Sequence, residues 1–222
     1  KPWTAFPIKG VIWYQGEANV GRSEQYGDLF PALITDWRRQ WRSDFPFYFV
    51  QLANFMESKE IQPDSEWAAL REAQTKALKL DQVGMAVTID IGLADDIHPK
   101  NKQEVGRRLA LVALAGSYGK NVSSSAPVFQ NYIIKGNKME LDFGQKQDGF
   151  QIKGTTLKGF TIAGPDRVFY PAEAMVHDGK IILSSTEVPA PLAARYGWAD
   201  NPDCNLYGEN GLPVAPFRTD CW

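Results

Sequence analysis

The sequence predicts a mixed α/β protein, in which a parallel sheet covered by helices is followed by an antiparallel β-sandwich. Between residues 8 and 120, short apolar runs alternate with amphipathic helical patterns, as in successive β-α units with right-handed crossovers. After residue 120 the pattern changes to short alternating runs between turn residues, which is typical of a β-sandwich. We therefore expect two domains, residues 1–120 and residues 121–222, the second of which ends in an ordered tail.

Three apolar runs are the predicted strands of the parallel sheet. They are I-K-G-V-I-W-Y at residues 8–14, F-Y-F-V-Q-L-A at 47–53 and V-G-M-A-V-T-I-D-I at 83–91. The second run is apolar nearly throughout, as buried parallel strands are. Three strands alone leave one edge of a sheet long and uncovered, so we expect the sheet to be incomplete at its N-terminal side.

The first predicted helix follows the first strand and carries an apolar stripe at helical spacing. The stripe consists of Tyr26, Leu29, Phe30, Leu33, Ile34, Trp37 and Trp41. Pro31 lies inside this pattern and removes a backbone N–H. The helix is therefore expected either to kink at Pro31 or to start near Asp28.

The second predicted helix covers residues 67–79. Ser65 or Asp64 can cap it, because both side chains accept hydrogen bonds from the first backbone N–H groups of a helix. Arg71 and Glu72 are expected on its solvated face.

The strands of the β-sandwich are predicted at four alternating runs, Y-I-I (132–134), K-M-E-L-D-F (138–143), F-T-I-A (160–163) and K-I-I-L (180–183). His177 lies in a turn-like H-D-G stretch and is expected at the surface. The stretch from Arg195 is rich in Asn, Gly, Pro and Asp and is expected to be an ordered loop or tail. Whether Cys204 and Cys221 form a disulfide stays open, and two thiols do not make a metal site.

Composition and motifs exclude several classes of function. The net charge of −2 and the absence of basic runs argue against nucleic acid or an anionic membrane surface as a partner. No apolar run is long enough to span a bilayer. The sequence has no P-loop, G-x-G-x-x-G or G-x-S-x-G motif and no metal-ligand cluster, so we expect neither a cofactor nor a metal.

The histidine most suited to chemistry is His98, which follows the third strand and precedes a helix expected to open at Pro99. Because the N-terminus of a helix disfavours imidazolium, this position would keep the ring neutral, as a general base requires. Asp95 or Asp96 could accept a hydrogen bond from its Nδ1–H. The spacing alone explains equally well a histidine that only caps a helix, with the two aspartates as capping residues.

The first strand ends in Y-Q-G-E-A-N at the sheet edge where the third strand also ends. Gln15 could donate an amide N–H to an oxyanion, and Glu17 could act as a general acid or bind sugar hydroxyls. The alternative is a polar pair that merely closes the end of the sheet.

Longer motifs resemble the sialate O-acetylesterases, a branch of the SGNH hydrolases. I-K-G-V-I-W-Y-Q-G-E-A-N at residues 8–19 is similar to the W-Y-Q-G-E block of that family, and D-D-I-H-P-K-N-K-Q-E-V-G-R-R-L-A at 95–110 to its histidine block and following helix. Residues 193–207 and 211–220 resemble C-terminal segments of bacterial members. The resemblance implies a three-layer α/β/α SGNH fold and Ser-His(-Asp) removal of O-acetyl groups from sialic acid. It also implies a periplasmic or secreted bacterial protein.

The resemblance also assigns site residues. It implies that His98 is the catalytic base, and that Gln15, Gly16 and Glu17 belong to the third SGNH block, where an oxyanion side chain is expected. Asn19 is the less favoured donor.

The residue that orients the histidine differs between two patterns. SGNH enzymes in general imply Asp95, which we slightly favour on geometry, whereas the D-I-H-P form of this family implies Asp96; we keep both.

The nucleophile block of the family is the main departure. That G-Q-S-N-like block lies at the first strand of the family's sheet, and no such block precedes Ile8 here. None of the serines present follows a strand in the required context, among them Ser43, Ser58, Ser65 and Ser117. We therefore expect the C-terminal portion of an esterase for O-acetylated sialic acid or a related glycan. Alone it should be inactive, and the missing N-terminal portion would be its partner.

Two other functions stay open. One is an acetylesterase for xylan or another glycan, since related SGNH enzymes share the Q-G-E block. The other is a non-catalytic carbohydrate-binding protein with Trp13, Tyr14 and Trp198 as stacking surfaces. In that case the β-sandwich would be a binding module rather than a structural cap.

Overall fold

The computed structural model describes residues 3–144 and 149–222 of the chain. A three-stranded parallel sheet with helices is followed by several antiparallel sheets, which confirms the predicted fold class. The predicted domain boundary at residue 120 falls between the last helix and the next strand and stays a prediction. The predicted domain ranges also include residues 1–2 and 145–148, which lie outside the described residues.

The parallel sheet consists of β1 (Val11–Trp13), β2 (Phe47–Val50) and β3 (Val83–Ala86) in the order β1-β2-β3. All four residues of β2 are buried, as the apolar run predicted. The strands are shorter than their apolar runs: β1 starts three residues into its run, whereas β2 and β3 leave the ladder early at their carboxyl ends. There Thr88 donates its hydroxyl to the carbonyl of Gln51 at 2.6 Å.

Helix α1 (Ser23–Trp41) passes through Pro31 without interruption. The predicted start near Asp28 is therefore wrong. The buried aromatic face of α1 explains this, because the packing of an amphipathic face contributes more to helix stability than local propensity does. Leu29 is the exception in the predicted stripe, since it is exposed.

Helix α2 (Glu66–Thr75) is followed by a short 3₁₀ turn at Lys76–Lys79. Ser65 caps it as predicted, since its Oγ accepts from the backbone N–H of Ala68 at 2.9 Å. The solvated face predicted for Arg71 is wrong: its side chain is fully buried. The C-terminal tail covers this face of α2 and supplies carbonyl groups that satisfy the guanidinium.

Helix α3 (Lys102–Gly116) does not open at Pro99 as predicted. Asn101 is its N-cap, and the side chain of Asn101 accepts from the backbone N–H of Glu104 at 3.2 Å. His98 therefore does not stand immediately before a helix, since residues 99–101 separate it from α3.

Arg108 fastens α3 to the loop after β3. Its guanidinium binds both carboxylate oxygens of Asp90, at 2.6 and 2.9 Å, and the carboxylate of Glu104 at 2.8 Å. Tyr207 donates its hydroxyl to Asp90 at 3.1 Å, so the C-terminal tail joins the same network.

The Glu104 carboxylate makes this network sensitive to acid. Hydrogen bonding from Arg107, aided by Arg108, lowers the pKa of Glu104 from 4.5 to about 2. Its stabilising contribution is complete above pH 4.5 and is lost as the pH falls from 4.5 through 2. We expect the free energy of unfolding, measured by urea titration, to fall less over this window in Glu104→Gln than in the unmodified chain. Glu60→Gln, on an exposed loop, is the control; parallel curves for all three proteins would contradict the prediction.

In the described residues of the C-terminal part there are ten short strands, β4 to β13. Their bounds are Asn131–Lys135, Lys138–Asp142, Phe150–Ile152, Phe160–Ala163, Phe169–Pro171, Glu173–His177, Lys180–Ser184, Ala193–Tyr196, Leu206–Gly208 and Phe217–Arg218. They pair as β4-β5-β10-β9, β13-β11-β7-β8 and β12-β6. The two four-stranded sheets share one apolar core, and strands lie at all four predicted runs.

The tail from Arg195 is ordered, as predicted, and contributes β12 and β13 to these sheets. His177 ends β9 and is exposed, which confirms the prediction for that residue. Cys204 and Cys221 are both free thiols.

Candidate active site

The carboxyl ends of β1, β2 and β3 lie at one edge of the sheet, and the loops that leave them form the candidate site. Gln74 on α2 connects the first two loops. Its side-chain oxygen accepts from the backbone N–H of Leu52 at 2.9 Å, and its Nε2 donates to the carbonyl of Gln15 at 3.3 Å. The buried side chain of Gln74 thus fixes the backbone of Gln15.

The Gln15 side chain is fixed by two neighbours. Its Nε2 donates to Oδ1 of Asn19 at 2.7 Å, and the hydroxyl of Tyr26 on α1 donates to its Oε1 at 3.3 Å. Since a primary amide has two N–H donors, one remains for a further acceptor. The structure therefore brings Gln15 and Asn19 together and orients Gln15 as an amide donor.

Gly16 lies buried behind Gln15 with φ of 150°, a conformation that favours glycine. A Cβ atom there would lie 3.3 Å from Nε2 of Gln74 and 3.5 Å from the Leu52 side chain. A larger residue at position 16 would displace the side chain of Gln74, which holds Gln15.

Glu17 begins a 3₁₀ turn that ends at Asn19, and its charge acts on Tyr14. Burial, with a smaller contribution from Glu17, raises the pKa of Tyr14 to about 12, so the phenol is neutral at physiological pH. The Tyr14 hydroxyl is buried and has no hydrogen-bond partner among the described residues.

His98 lies in the loop between β3 and α3, whose residues 92–98 we call the histidine loop. Its side chain is 87% exposed. Its backbone N–H donates to Oδ1 of Asp96 at 2.9 Å, and its Nδ1 lies 3.8 Å from the same oxygen. Asp95 is exposed and makes no ion pair with His98, both being within the described range 3–144. The carboxylate beside the ring is that of Asp96.

Two contacts bring the histidine loop to the same region as Tyr14. Ile97 packs against the apolar cluster that also includes Tyr14. Lys102 donates its Nζ to the carbonyl of Pro99 at 2.6 Å and lies 5.3 Å from the centre of the Tyr14 ring. The glutamine and histidine blocks therefore lie at the same edge of the sheet, where β1 and β3 end.

The aromatic residues considered for sugar stacking are largely occupied within the protein. Trp13 packs in a cluster of aromatic rings with Phe30, Trp37 and Phe47. Trp198 lines a cleft of about 530 Å³ and donates its indole N–H to the backbone carbonyl of Pro63 at 3.2 Å. Its ring contacts two guanidinium groups, those of Arg195 and Arg218, at 5.1 and 4.7 Å.

Sequence reasoning missed several polar residues behind the site, namely Asn54, Arg71, Gln74, Asp200 and Asn201. Their partners are mostly carbonyl and amide groups distant in sequence, so no local pattern reveals them. The only signal was an arginine and a glutamine, Arg71 and Gln74, on the side of α2 that also carries Trp67 and Leu70.

No cluster of residues suited to hold a metal is found among residues 3–144 and 149–222. No helix in the same ranges is long and apolar enough to cross a membrane.

Comparison with known proteins yields one family and several relatives. A family model described as carbohydrate esterase, sialic acid-specific acetylesterase, matches residues 3–115. The sialate O-acetylesterases of Mus musculus and Homo sapiens are 30% and 31% identical to the chain over 97% of its length. The chain spans 45% and 46% of the lengths of these two proteins.

A solved structure supports the same family assignment. The crystal structure of a carbohydrate acetylesterase from Xanthomonas citri superposes with a TM-score of 0.93 and is 46% identical. It covers all of this chain, which corresponds to 52% of the Xanthomonas protein. Since the family model matches half of the sequence and both comparisons agree with it, the chain belongs to the sialic acid-specific acetylesterase family of carbohydrate esterases.

Proposed function

We propose that the chain supplies the base and the oxyanion donor of a serine O-acetylesterase that acts on O-acetylated sialic acid. A serine-bearing N-terminal portion would supply the nucleophile. The observation that carries the proposal is the placement of Gln15 and His98 at one edge of the sheet, in a chain of this family.

The chemistry assigns a step to each residue. The serine oxygen attacks the acetyl carbonyl while His98 accepts the serine proton, and the resulting imidazolium then protonates the sugar oxygen as the C–O bond to the acetyl group breaks. Water, deprotonated by His98, attacks the acetyl-serine, and the imidazolium returns that proton to the serine oxygen as its bond to the acetyl carbon breaks and acetate leaves. The free N–H of Gln15 stabilises the oxyanion in both steps.

The His98–Asp96 pair needs a small movement to take part. At 3.8 Å the Nδ1–Oδ1 distance is longer than a hydrogen bond, and catalytic hydrogen bonds often tighten only when substrate is bound. We assign the orienting role to Asp96, because its carboxylate lies beside the ring, and keep Asp95 as the alternative.

Two features of β1 support a further segment beside it. β1 is an edge strand in the described sheet, and the side chain of Ile12 at its centre is 70% exposed. The Tyr14 hydroxyl, which follows β1, is buried without a partner among the described residues. A strand added to this edge would pair with the free backbone groups of β1, and the helix that accompanies such a strand would cover Ile12, whose side chain points to a face of the sheet.

The hydroxyls of two candidate serines serve other contacts. Ser65 caps α2 and donates to Asp200 at 2.6 Å, and Ser117 shares a 2.7 Å hydrogen bond with Tyr48. Neither contact is with His98, so the structure does not place either of these two hydroxyls as its nucleophile.

The test is complementation. The part of the Xanthomonas citri relative that this chain does not match, which we expect to carry the serine, is joined ahead of the chain, and we call the product the complemented enzyme. We expect it to release acetate from O-acetylated sialic acid, whereas the chain alone should show only the background expected without a nucleophile. Acetate release is measured in a coupled assay, and a serine-reactive phosphonate should label only the complemented enzyme.

Two results would contradict the proposal. Stoichiometric phosphonate labelling of the chain alone would show that it has its own nucleophile. Preference of the complemented enzyme for acetylated xylan over acetylated sialic acid would favour the second candidate, a plant-glycan acetylesterase. The Xanthomonas relative is described as a carbohydrate acetylesterase, and this broad description agrees with the second candidate as well.

A further inference from the structure

The C-terminal tail reaches the segment that holds the histidine loop, although the two are far apart in sequence. The tail residues concerned are 199–201, which we call the tail clamp. We propose that the tail clamp positions the imidazole of His98 by fixing, through Asn54, the backbone where the histidine loop begins. The inference rests on the proposed role of His98 as the base.

The tail clamp is itself held firmly by α2. The buried guanidinium of Arg71 donates to the carbonyls of Ala199 and Asp200, both at 2.7 Å. The Asp200 carboxylate accepts from the Ser65 hydroxyl at 2.6 Å and from the side-chain amide of Gln62. The clamp therefore has a fixed place relative to the parallel sheet.

The tail clamp binds three successive residues that follow β2. Nδ2 of Asn201 donates to the carbonyl of Met56 at 2.6 Å, and Nδ2 of Asn54 donates to Oδ1 of Asn201 at 2.7 Å. Between them, the backbone N–H of Phe55 donates to the carbonyl of Asp200 at 3.2 Å.

The same three residues bind the histidine loop on their other side. The backbone N–H of Gly92 donates to Oδ1 of Asn54 at 2.6 Å, and the N–H of Met56 donates to the carbonyl of Ala94 at 3.1 Å. Phe55 and Leu93 form a parallel β-bridge. The loop thus lies on a short strip of backbone whose opposite side is held by the tail.

Asn54 joins the two sides through one amide group. Its oxygen accepts from Gly92 and its nitrogen donates to Asn201, so the bond to the tail fixes which atom faces the loop. The fit at Gly92 is tight, because a Cβ atom there would clash with the backbone carbonyl oxygen of Asn54. A rotation of the Asn54 side-chain amide would break its bond to the Gly92 N–H and so release the start of the histidine loop.

His98 depends on this support because its ring is mostly exposed. The position of the ring follows from the backbone of the loop, which is held at Gly92 on one side and at Ile97 on the other. A misplacement of about 1 Å can lower a catalysed rate by roughly 100-fold.

The test compares two asparagines of the tail. Asn201→Ala removes the bonds to Asn54 and Met56. Asn205→Ala is the matched control, since the Asn205 side chain makes three hydrogen bonds, one more than Asn201, to Lys153, Thr156 and Lys158 in the β-rich part. Both are made in the chain as it stands and compared by NMR. The chain has only two histidines, so the exposed His177 is an internal reference for the imidazole signals.

We expect Asn201→Ala to shift the imidazole signals of His98 and to raise hydrogen exchange at the Gly92 amide by about tenfold or more, with His177 unchanged. Asn205→Ala should change neither. In Asn201→Asp, which keeps an oxygen for Asn54 but turns a second acceptor toward the Met56 carbonyl, only part of the Gly92 protection should return. Unchanged His98 and Gly92 signals in Asn201→Ala, or equal changes in Asn205→Ala, would overturn the proposal.

A kinetic measurement adds a second readout. In the complemented enzyme, Asn201→Ala should lower kcat roughly 10- to 100-fold with little change in KM, because substrate contacts remain in place. The NMR result stands without this assay. If no variant releases acetate, the proposed function fails, while the positioning of His98 is still judged from Gly92 and the imidazole signals.

Discussion

Replacing His98 with alanine is expected to lower kcat of the complemented enzyme by roughly 10⁴- to 10⁶-fold, with little effect on KM. The imidazole is the only group we assign to move the proton of the nucleophile. The exposed side chain packs against little, so its removal should leave the free energy of unfolding within about 0.5 kcal/mol of the parent. Acetate release and urea unfolding, measured on the same preparations, separate the two effects.

The other histidine provides the matched control. His177 is also exposed, at the end of β9 in the β-rich part, and His177→Ala should retain full activity. Activity of His98→Ala within tenfold of the parent would refute the assignment of the base.

The two neighbouring aspartates extend the same experiment. Asp96→Asn should lower kcat, because the carboxylate beside the ring becomes a neutral amide, whereas Asp95→Asn should have little effect. A larger loss of kcat in Asp95→Asn than in Asp96→Asn would instead support Asp95 as the orienting residue, as the pattern of general SGNH enzymes implies.

The fold was largely predictable because apolar periodicity reports directly on burial. The run at β2 and the stripe on α1 identified their elements, and so did the alternating runs of the sandwich. The errors lie at boundaries. The proline rule placed a helix start at Pro99 and near Asp28, but the cap at Asn101 and the packing of α1 decided the actual ends.

The candidate site was predictable only where its residues form short motifs. Gln15 and His98 stand out because each follows an apolar strand. The residues that hold them could not be found in this way. Arg71 was expected at the surface because charged residues on helices usually are, and only the tertiary fold shows that the tail covers it.

Replacing Arg71 is expected to have the largest effect on stability. Its side chain is fully buried and donates to four carbonyl oxygens, those of Leu52, Ala53, Ala199 and Asp200. Burial lowers the pKa of Arg71 to about 9, so the guanidinium stays protonated at neutral pH and keeps all its donors. Arg71→Met removes all four of these bonds. The Ala53 and Asp200 carbonyls keep one donor each, the Trp67 indole and the Phe55 N–H, but the loss should still cost about 3–5 kcal/mol of unfolding free energy.

Urea unfolding followed by tryptophan fluorescence measures this cost. Arg71→Lys should lie between the parent and Arg71→Met, because an ammonium keeps the charge but cannot reach four carbonyls in the same geometry. It also remains measurable if Arg71→Met does not fold. Arg39→Ala, on an exposed part of α1, should change stability by less than about 0.5 kcal/mol. If Arg71→Met were as stable as Arg39→Ala, the buried guanidinium would not be what holds the tail to α2, and residues 199–201 would need another anchor.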